Sequence, residues 1–130
     1  MQSNKKKGSK FEEEFANMLS EEGFWAHVVA PNPKDGSQPF DVVAAKNGVM
    51  YAFDCKTVDG NTFPLVRLEE NQERAFKKLL ACGCDTCFIA YKRKDGSVWL
   101  DHAVDCIAKK DAGVKSIAPG SYSFKKWCKA

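Results

Sequence analysis

The spacing of hydrophobic and polar residues changes several times along this chain, and each change marks an element. Phe11, Phe15, Met18 and Leu19 recur at helical spacing and stop at Gly23, which predicts a first helix over about Lys10–Glu22. Ser9-Lys10-Phe11-Glu12 has the form of a capping box at its start. Phe24–Ala30 reads as a strand, ended by Pro31-Asn32-Pro33 and the Asp35-Gly36 turn signal. Two β-prone runs follow, Phe40–Ala45 and Val49–Val58, separated by Asn47-Gly48, the dipeptide best suited to a type I′ hairpin. Phe63-Pro64-Leu65 is held extended by its proline. A second helix spans about Glu69–Cys82, with Leu68, Ala75, Phe76, Leu79 and Leu80 on its apolar stripe and Gln72 in the slot between Leu68 and Phe76. Thr86–Tyr91 and Ser97–Leu100 form a second hairpin around Asp95-Gly96, and His102–Lys110 is periodic enough for a short helix. Residues 113–130 show no clear period, although Trp127 is expected to dock on the core.

The order helix, strand, hairpin, helix, hairpin, helix gives an α/β fold: a mixed central β-sheet flanked by helices, with an α-β-β-β-α-β core. At 130 residues the chain holds one domain with a real core. We divide it into a basic flexible arm over residues 1–8 and a single domain over 9–130. The net charge of +3 permits a polyanionic partner without demanding one, and Lys5-Lys6-Lys7 is a basic cluster of the kind that would make a footprint. No apolar run is long enough to span a membrane and no signal-peptide core is present, so a cytoplasmic protein without a membrane partner is expected. Six cysteines in such a chain are expected to be reduced, and Cys84–Cys87, which has CxxC spacing but no second ligand pair, reads as buried thiols rather than zinc ligands. Only His27 and His102 are available as histidines, which argues against histidine-dependent hydrolysis, and no glycine loop at phosphate-cradling spacing points to a nucleotide cofactor.

The chemistry concentrates in the first hairpin. A two-residue Asn47-Gly48 loop places Asp41 opposite Asp54, where paired Cβ atoms lie only about 4.5–5.5 Å apart and like charges repel. Period-2 alternation puts Lys56 on the face of Asp54 and turns Cys55 towards the core with Phe53 and Tyr51. Two carboxylates beside an ammonium suit a hard divalent ion and phosphodiester hydrolysis; a solvated surface hairpin is the bland alternative. Glu12 has two readings, a capping carboxylate and one aimed at this site. Gln72 likewise either bonds to backbone or serves the site.

With those residues in place, Asp41, Asp54-Cys55-Lys56 and a glutamate on the first helix resemble the PD-(D/E)xK nuclease superfamily, with Asp in the last triplet. Gly8-Ser9-Lys10-Phe11-Glu12, the Asn47-Gly48 hairpin, Thr62-Phe63-Pro64-Leu65 and the helix with Gln72 are similar, in order, to RecU-type Holliday-junction resolvases over about residues 7–91; archaeal junction resolvases are also similar around Lys7-Gly8-Ser9 and the hairpin. The resemblance implies a restriction-endonuclease-like fold and a Mg²⁺-dependent DNA endonuclease, with Mn²⁺ able to substitute, that resolves four-way junctions in recombination and repair as a homodimer. By it Glu12, Asp41 and Asp54, with the Cys55 carbonyl, would hold metal, Lys56 would be the catalytic lysine, Gln72 an active-site amide, and Lys5, Lys6 and Lys7 would contact DNA. The segment Pro31–Phe40 is shorter than the RecU-type stalk, and Glu69 and Asn71 stand where those enzymes have histidines. A same-fold nuclease acting on flaps, ends or other branched DNA, and an inactive DNA-binding module, remain as alternatives.

Overall fold

The polar stretch before Phe11 does not wait for Ser9 to begin a helix. In the computed structural model, which describes residues 4–117 and 122–129 with side chains from Lys10 onward, α1 runs Asn4–Glu21. The described part of the expected arm is therefore helical, and Ser9 lies inside the helix rather than at its N-cap. Lysine is a good helix former and a single interior glycine costs only about 1 kcal/mol, so Lys5–Ser9 continues the helix. Residues 1–3 and the side chains of Lys5, Lys6 and Lys7 lie outside the described residues.

After α1 come β1 (Trp25–Val28), β2 (Val42–Lys46) and β3 (Val49–Thr57). Asn47 and Gly48 both have positive φ, 53° and 79°, as a type I′ turn requires. The chain continues through β4 (Phe63–Pro64), a single 3-10 turn over Leu65–Arg67, α2 (Glu70–Ala81), β5 (Cys87–Lys92), β6 (Val98–His102), α3 (Ala103–Asp111), β7 (Ser116–Ile117), β8 (Tyr122–Ser123) and α4 (Phe124–Lys129). The stretch without a clear period thus resolves into short strands and a helix whose Trp127 is buried in the core.

The main sheet has the order β1-β2-β3-β5-β6-β8, and β4 pairs with β7 apart from it. β3 and β5 run parallel at its centre, while β1–β2, β2–β3, β5–β6 and β6–β8 are antiparallel. A parallel pair needs a crossover, and α2 supplies it. Helices cover both faces, and each face has its own core: Phe11, Phe15 and Leu19 of α1 with Phe53, Phe88 and Trp127 on one, Phe76 of α2 and Ile107 of α3 with Ile89 and Tyr91 on the other. Phe15 meets Phe53 edge-on at 5.0 Å, and complete burial of each ring contributes roughly 2–3 kcal/mol. Sandwiched between these cores, β3 is apolar on both sides except at Asp54, Lys56 and its last residue, Thr57. Among the described residues no helix is long and apolar enough to cross a membrane, and all six cysteines are free thiols.

Candidate active site

The β2–β3 hairpin keeps the expected register from Lys46↔Val49 to Val42↔Phe53 and then steps by one residue. Asp41 N–H donates to the Phe53 carbonyl at 2.8 Å, so Asp41 and Val42 both oppose Phe53 in the manner of a β-bulge. The direct pairing of Asp41 with Asp54 is corrected to an offset one. Asp41 is then locked at three points, because its carbonyl also accepts from Val29 N–H at 2.9 Å and its Oδ2 from Cys55 N–H at 2.7 Å. The carboxylate satisfies a donor that a longer β2 would have satisfied with backbone. Since the N–H and C=O of one strand residue point to the same side, the Cys55 carbonyl also faces the opening that β2 leaves. The Cys55 thiol is packed among the α1-side core, and burial first, then the Asp41 and Asp54 charges, push it well above the ordinary thiol range.

Asp54 is wholly buried, and neither of its carboxylate oxygens has a hydrogen-bond partner. Its nearest cation is Lys56, whose Nζ lies 3.5 Å from Oδ1. Burial, followed by the adjoining Asp41 carboxyl, raises the Asp54 pKa well above the usual carboxylate range despite the opposing pull of Lys56. Glu12 projects from α1 to the same carboxylates; burial, then the charge and hydrogen-bonding contact of Asp41, raise it to about 7. With α1 beginning at Asn4, the capping role for Glu12 has no Ser9 cap to complete. Glu14 meets Lys92 of β5 at 2.9 Å and helps fix how α1 is turned.

The Lys56 side chain is mostly buried, 11% exposed. Burial alone would lower its pKa, but Asp54, Glu69 and Asp41 outweigh it and hold the ammonium above its ordinary value. Glu69, just before α2, accepts from Lys56 Nζ at 3.2 Å. Gln72, one turn further on, is 3% exposed and its Oε1 has no partner. These groups line one open cleft of about 640 Å³ together with Glu12, Asp41, Cys55 and Arg67. Glu69 and Arg67, whose guanidinium donates to the Thr57 carbonyl, were not among the sequence candidates. The three-residue spacing of Glu69 and Gln72 on one helical face was the available signal. A second, smaller cleft of about 430 Å³ lies at the hairpin-turn end among Tyr51, His102 and Trp127, away from this chemistry.

The residues present suit a hard cation. Two oxygens of a buried carboxylate without hydrogen-bond donors, the offset Asp41, Glu12 and a backbone carbonyl are the oxygen set such an ion takes, and the several carboxylates outnumber the one ammonium, Lys56, that pairs with Asp54. Among the described residues, no three His, Cys, Asp or Glu side chains already surround one point as a finished cage; the carboxylates run as a chain from Glu12 through Asp41 to Asp54.

The sequence profile of the archaeal Holliday junction resolvase family, Hjc, matches residues 3–121. Among solved structures, Hjc from Archaeoglobus fulgidus, described as a Holliday junction resolvase from an archaeal hyperthermophile, is similar with a TM-score of 0.58 at 21% identity, over 75% of this chain and 78% of that one. At that identity the likeness concerns the fold. No curated protein sequence matches the chain. The RecU-type likeness is accordingly approximate, because the profile that matches is the archaeal one. That profile runs through every side chain of the cleft from Glu12 to Gln72, and the chain belongs to the archaeal Holliday junction resolvase (Hjc) family: it is a junction-resolving endonuclease.

Proposed function

We propose that this cleft is the cleavage site of a Mg²⁺-dependent resolvase, with Mn²⁺ able to substitute, and that two copies of the chain cut a four-way DNA junction as a homodimer. The coarser statements stand on the family: branched DNA is the partner and a divalent metal the cofactor. The observation that carries the assignment of residues is Asp54, a fully buried carboxylate without a donor on either oxygen. Buried polar atoms are nearly always partnered, and since Lys56 lies 3.5 Å from one oxygen without a hydrogen bond, a bound divalent ion is the partner that would satisfy this carboxylate.

Asp41 and Asp54, with the Cys55 carbonyl and Glu12, would hold the ion. When bound, it supplies Lewis-acid polarisation of the scissile phosphate and a lowered pKa for its water. Asp41 brings a rigid oxygen, because three hydrogen bonds fix its backbone and Oδ2. Lys56 remains an ammonium at neutral pH, so it serves as a charge stabiliser and water-orienting donor rather than as a base. Gln72 offers its unpartnered Oε1 to the attacking water or to the ion's shell. Arg67, on the cleft wall, suits a phosphate flanking the cut. Two symmetric cuts are needed to resolve a four-way junction, which is why a two-fold pair of sites is part of the proposal.

The test is cleavage of four-way junction, flap, single-stranded and linear duplex DNA in Mg²⁺ and in EDTA, with Asp54→Asn and Lys56→Ala alongside. The junction should be preferred, EDTA should stop the reaction, and each variant should lose about a hundredfold or more in rate while keeping its fold and DNA binding. Unchanged cleavage by either variant would overturn the residue assignment. Preference for flaps would redirect the substrate, and binding without metal-dependent cleavage would leave a DNA-binding module.

A further inference from the structure

The wall of the cleft that carries Asp41 and the wall that carries Gln72 come from segments far apart in sequence, and two side-chain amides join them. Gln38 stands three residues before Asp41, and its Nε2 donates to the Val29 carbonyl. Val29, one residue past β1, donates its own N–H to the Asp41 carbonyl at 2.9 Å, so the Gln38 amide closes the strand end where the Asp41 backbone is pinned. The Gln38 carbonyl in turn accepts from Asn71 Nδ2 at 3.1 Å. Asn71 lies in the first turn of α2, next to Gln72. Both acceptors are carbonyls, so both amides present N–H groups.

This strap does more than shape the loop it starts from. The loop between Val29 and Gln38 has bonds of its own, since Asn32 N–H donates to the Ser37 carbonyl and Gly36 N–H to the Asn32 carbonyl, both at 2.8 Å. An asparagine near a helix start commonly bonds to its own backbone neighbourhood, yet Asn71 reaches a residue 33 positions away. The link from the strap to Asp41 is stiff. Pro39 has a fixed φ and holds Gln38 extended, and the Phe40 ring packs on Phe76 of α2 at 5.6 Å. α2 is held from behind as well, where Lys110 of α3 donates to the Leu68 carbonyl at 3.2 Å and to Glu73 at 2.8 Å. We propose that Gln38 and Asn71 are positioning residues for the cleavage reaction: the chain of bonds Val29–Gln38–Asn71 sets the separation of the Asp41 and Gln72 walls, and with it the grip of the cleft on a divalent ion. The proposal rests on the reading of this cleft as the cutting site. Asp41 and Asp54 share one hairpin, whose register fixes their spacing. Gln72 comes from another element, and a bound ion tolerates only about 0.2 Å of error in its oxygen distances, so a direct tie between the two elements is what such a site needs.

Gln38→Met and Asn71→Asp test the proposal, because each nearly keeps the side-chain volume and removes the donor. Mn²⁺ binding without DNA, read by the ion's paramagnetic resonance, should weaken about tenfold or more in each. Single-turnover cleavage of a four-way junction should fall by a similar factor at limiting Mn²⁺ and return towards wild type at saturating Mn²⁺, with junction affinity in EDTA unchanged. Asn71→Asp separates positioning from charge, since a carboxylate added beside the cleft would by itself tighten cation binding, the opposite sign. The double variant should bind no more weakly than the weaker single, because either change interrupts the same chain of bonds. Both positions are half-buried, so circular dichroism and melting should stay near wild type, and Asn71→Ala, which removes the donor without adding charge, carries the same expectation. Single variants that bind Mn²⁺ as tightly as wild type or more tightly, or losses that simply add in the double variant, would overturn the proposal and leave the site reading standing. A wild-type chain that binds no Mn²⁺, or one whose Mn²⁺ binding is untouched by Asp54→Asn, would overturn the reading of the cleft itself, and this proposal with it.

Discussion

Asp54 and Glu12 are carboxyl groups kept where carboxylates are least comfortable, and the consequence can be measured one residue at a time. Glu12 sits on the face of α1 that meets Asp41, with its pKa lifted to about 7, whereas Glu13 is exposed at the rim of the same cleft. Glu12→Gln is expected to lower junction cleavage at least about tenfold, or to raise the Mg²⁺ requirement, with the melting temperature nearly unchanged. Glu13→Gln should behave like wild type. A Mg²⁺ titration of both variants checks this, and equal near-wild-type curves would remove Glu12 from the site. The pairing of Asp41, Asp54 and Lys56 was legible in the chain because strand periodicity and the Asn47-Gly48 turn fix a face. The step at Asp41 was not, because it depends on a single backbone bond to Phe53 that no side-chain pattern encodes. Glu69 was hidden for a different reason: it meets Lys56 only after the chain between them has folded back.

At the scale of elements, patterning predicted nearly every helix and strand, since amphipathic periods and turn dipeptides act locally. It misplaced the start of α1, where a run of good helix formers extends the helix past its first plausible cap, and it left the last strands and α4 undefined because elements so short carry too few periods. The turn that joins β2 to β3 gives a clean test. Gly48 has φ of +79°, and an added Cβ would touch nothing within 4 Å, so Gly48→Ala introduces backbone strain alone. Urea denaturation should show a loss of about 1 kcal/mol, with cleavage per folded molecule unchanged, because the turn lies at the far end of the hairpin from Asp41. At the start of α1, Lys5, Lys6 and Lys7 stand on helical backbone. Removing residues 1–7 should weaken DNA binding at low salt and reduce the slope of log affinity against log salt by up to about 3, while the single-turnover rate on saturating junction stays close to wild type.

For the molecule as a whole, stability without metal should depend on pH in the direction opposite to that of ordinary salt-bridged proteins. Glu12 has a folded pKa of about 7 against an ordinary 4.5, and Asp54 is shifted the same way. Between those values the folded state binds more protons than the unfolded one, so stability falls as pH rises from about 4.5 to about 7 and beyond. In EDTA the melting temperature is expected to drop by about 5 °C from about pH 5 to about pH 7.5, and Mg²⁺ should restore most of the loss at the upper end, where the ion no longer competes with protons. Asp54→Asn should flatten the curve. Thermal scans across that range decide the point. The parallel pairing of β3 with β5, from Ala52↔Cys87 to Thr57↔Lys92, has a consequence for the newly made chain. Every cleft side chain from Glu12 to Gln72 is translated before the first residue of β5, yet until β5 and its crossover arrive Asp54 is a hydrated carboxylate on an open hairpin, with no burial to sharpen its need for a cation. At synthesis rates of about 5–20 residues per second, the stretch from Gln72 to the end of β5 at Lys92 takes about 1–4 seconds, during which the chain carries every proposed site residue without a closed site. If the proposed site is the cutting one, the order of the strands postpones DNA cleavage until the sheet has closed over Asp54.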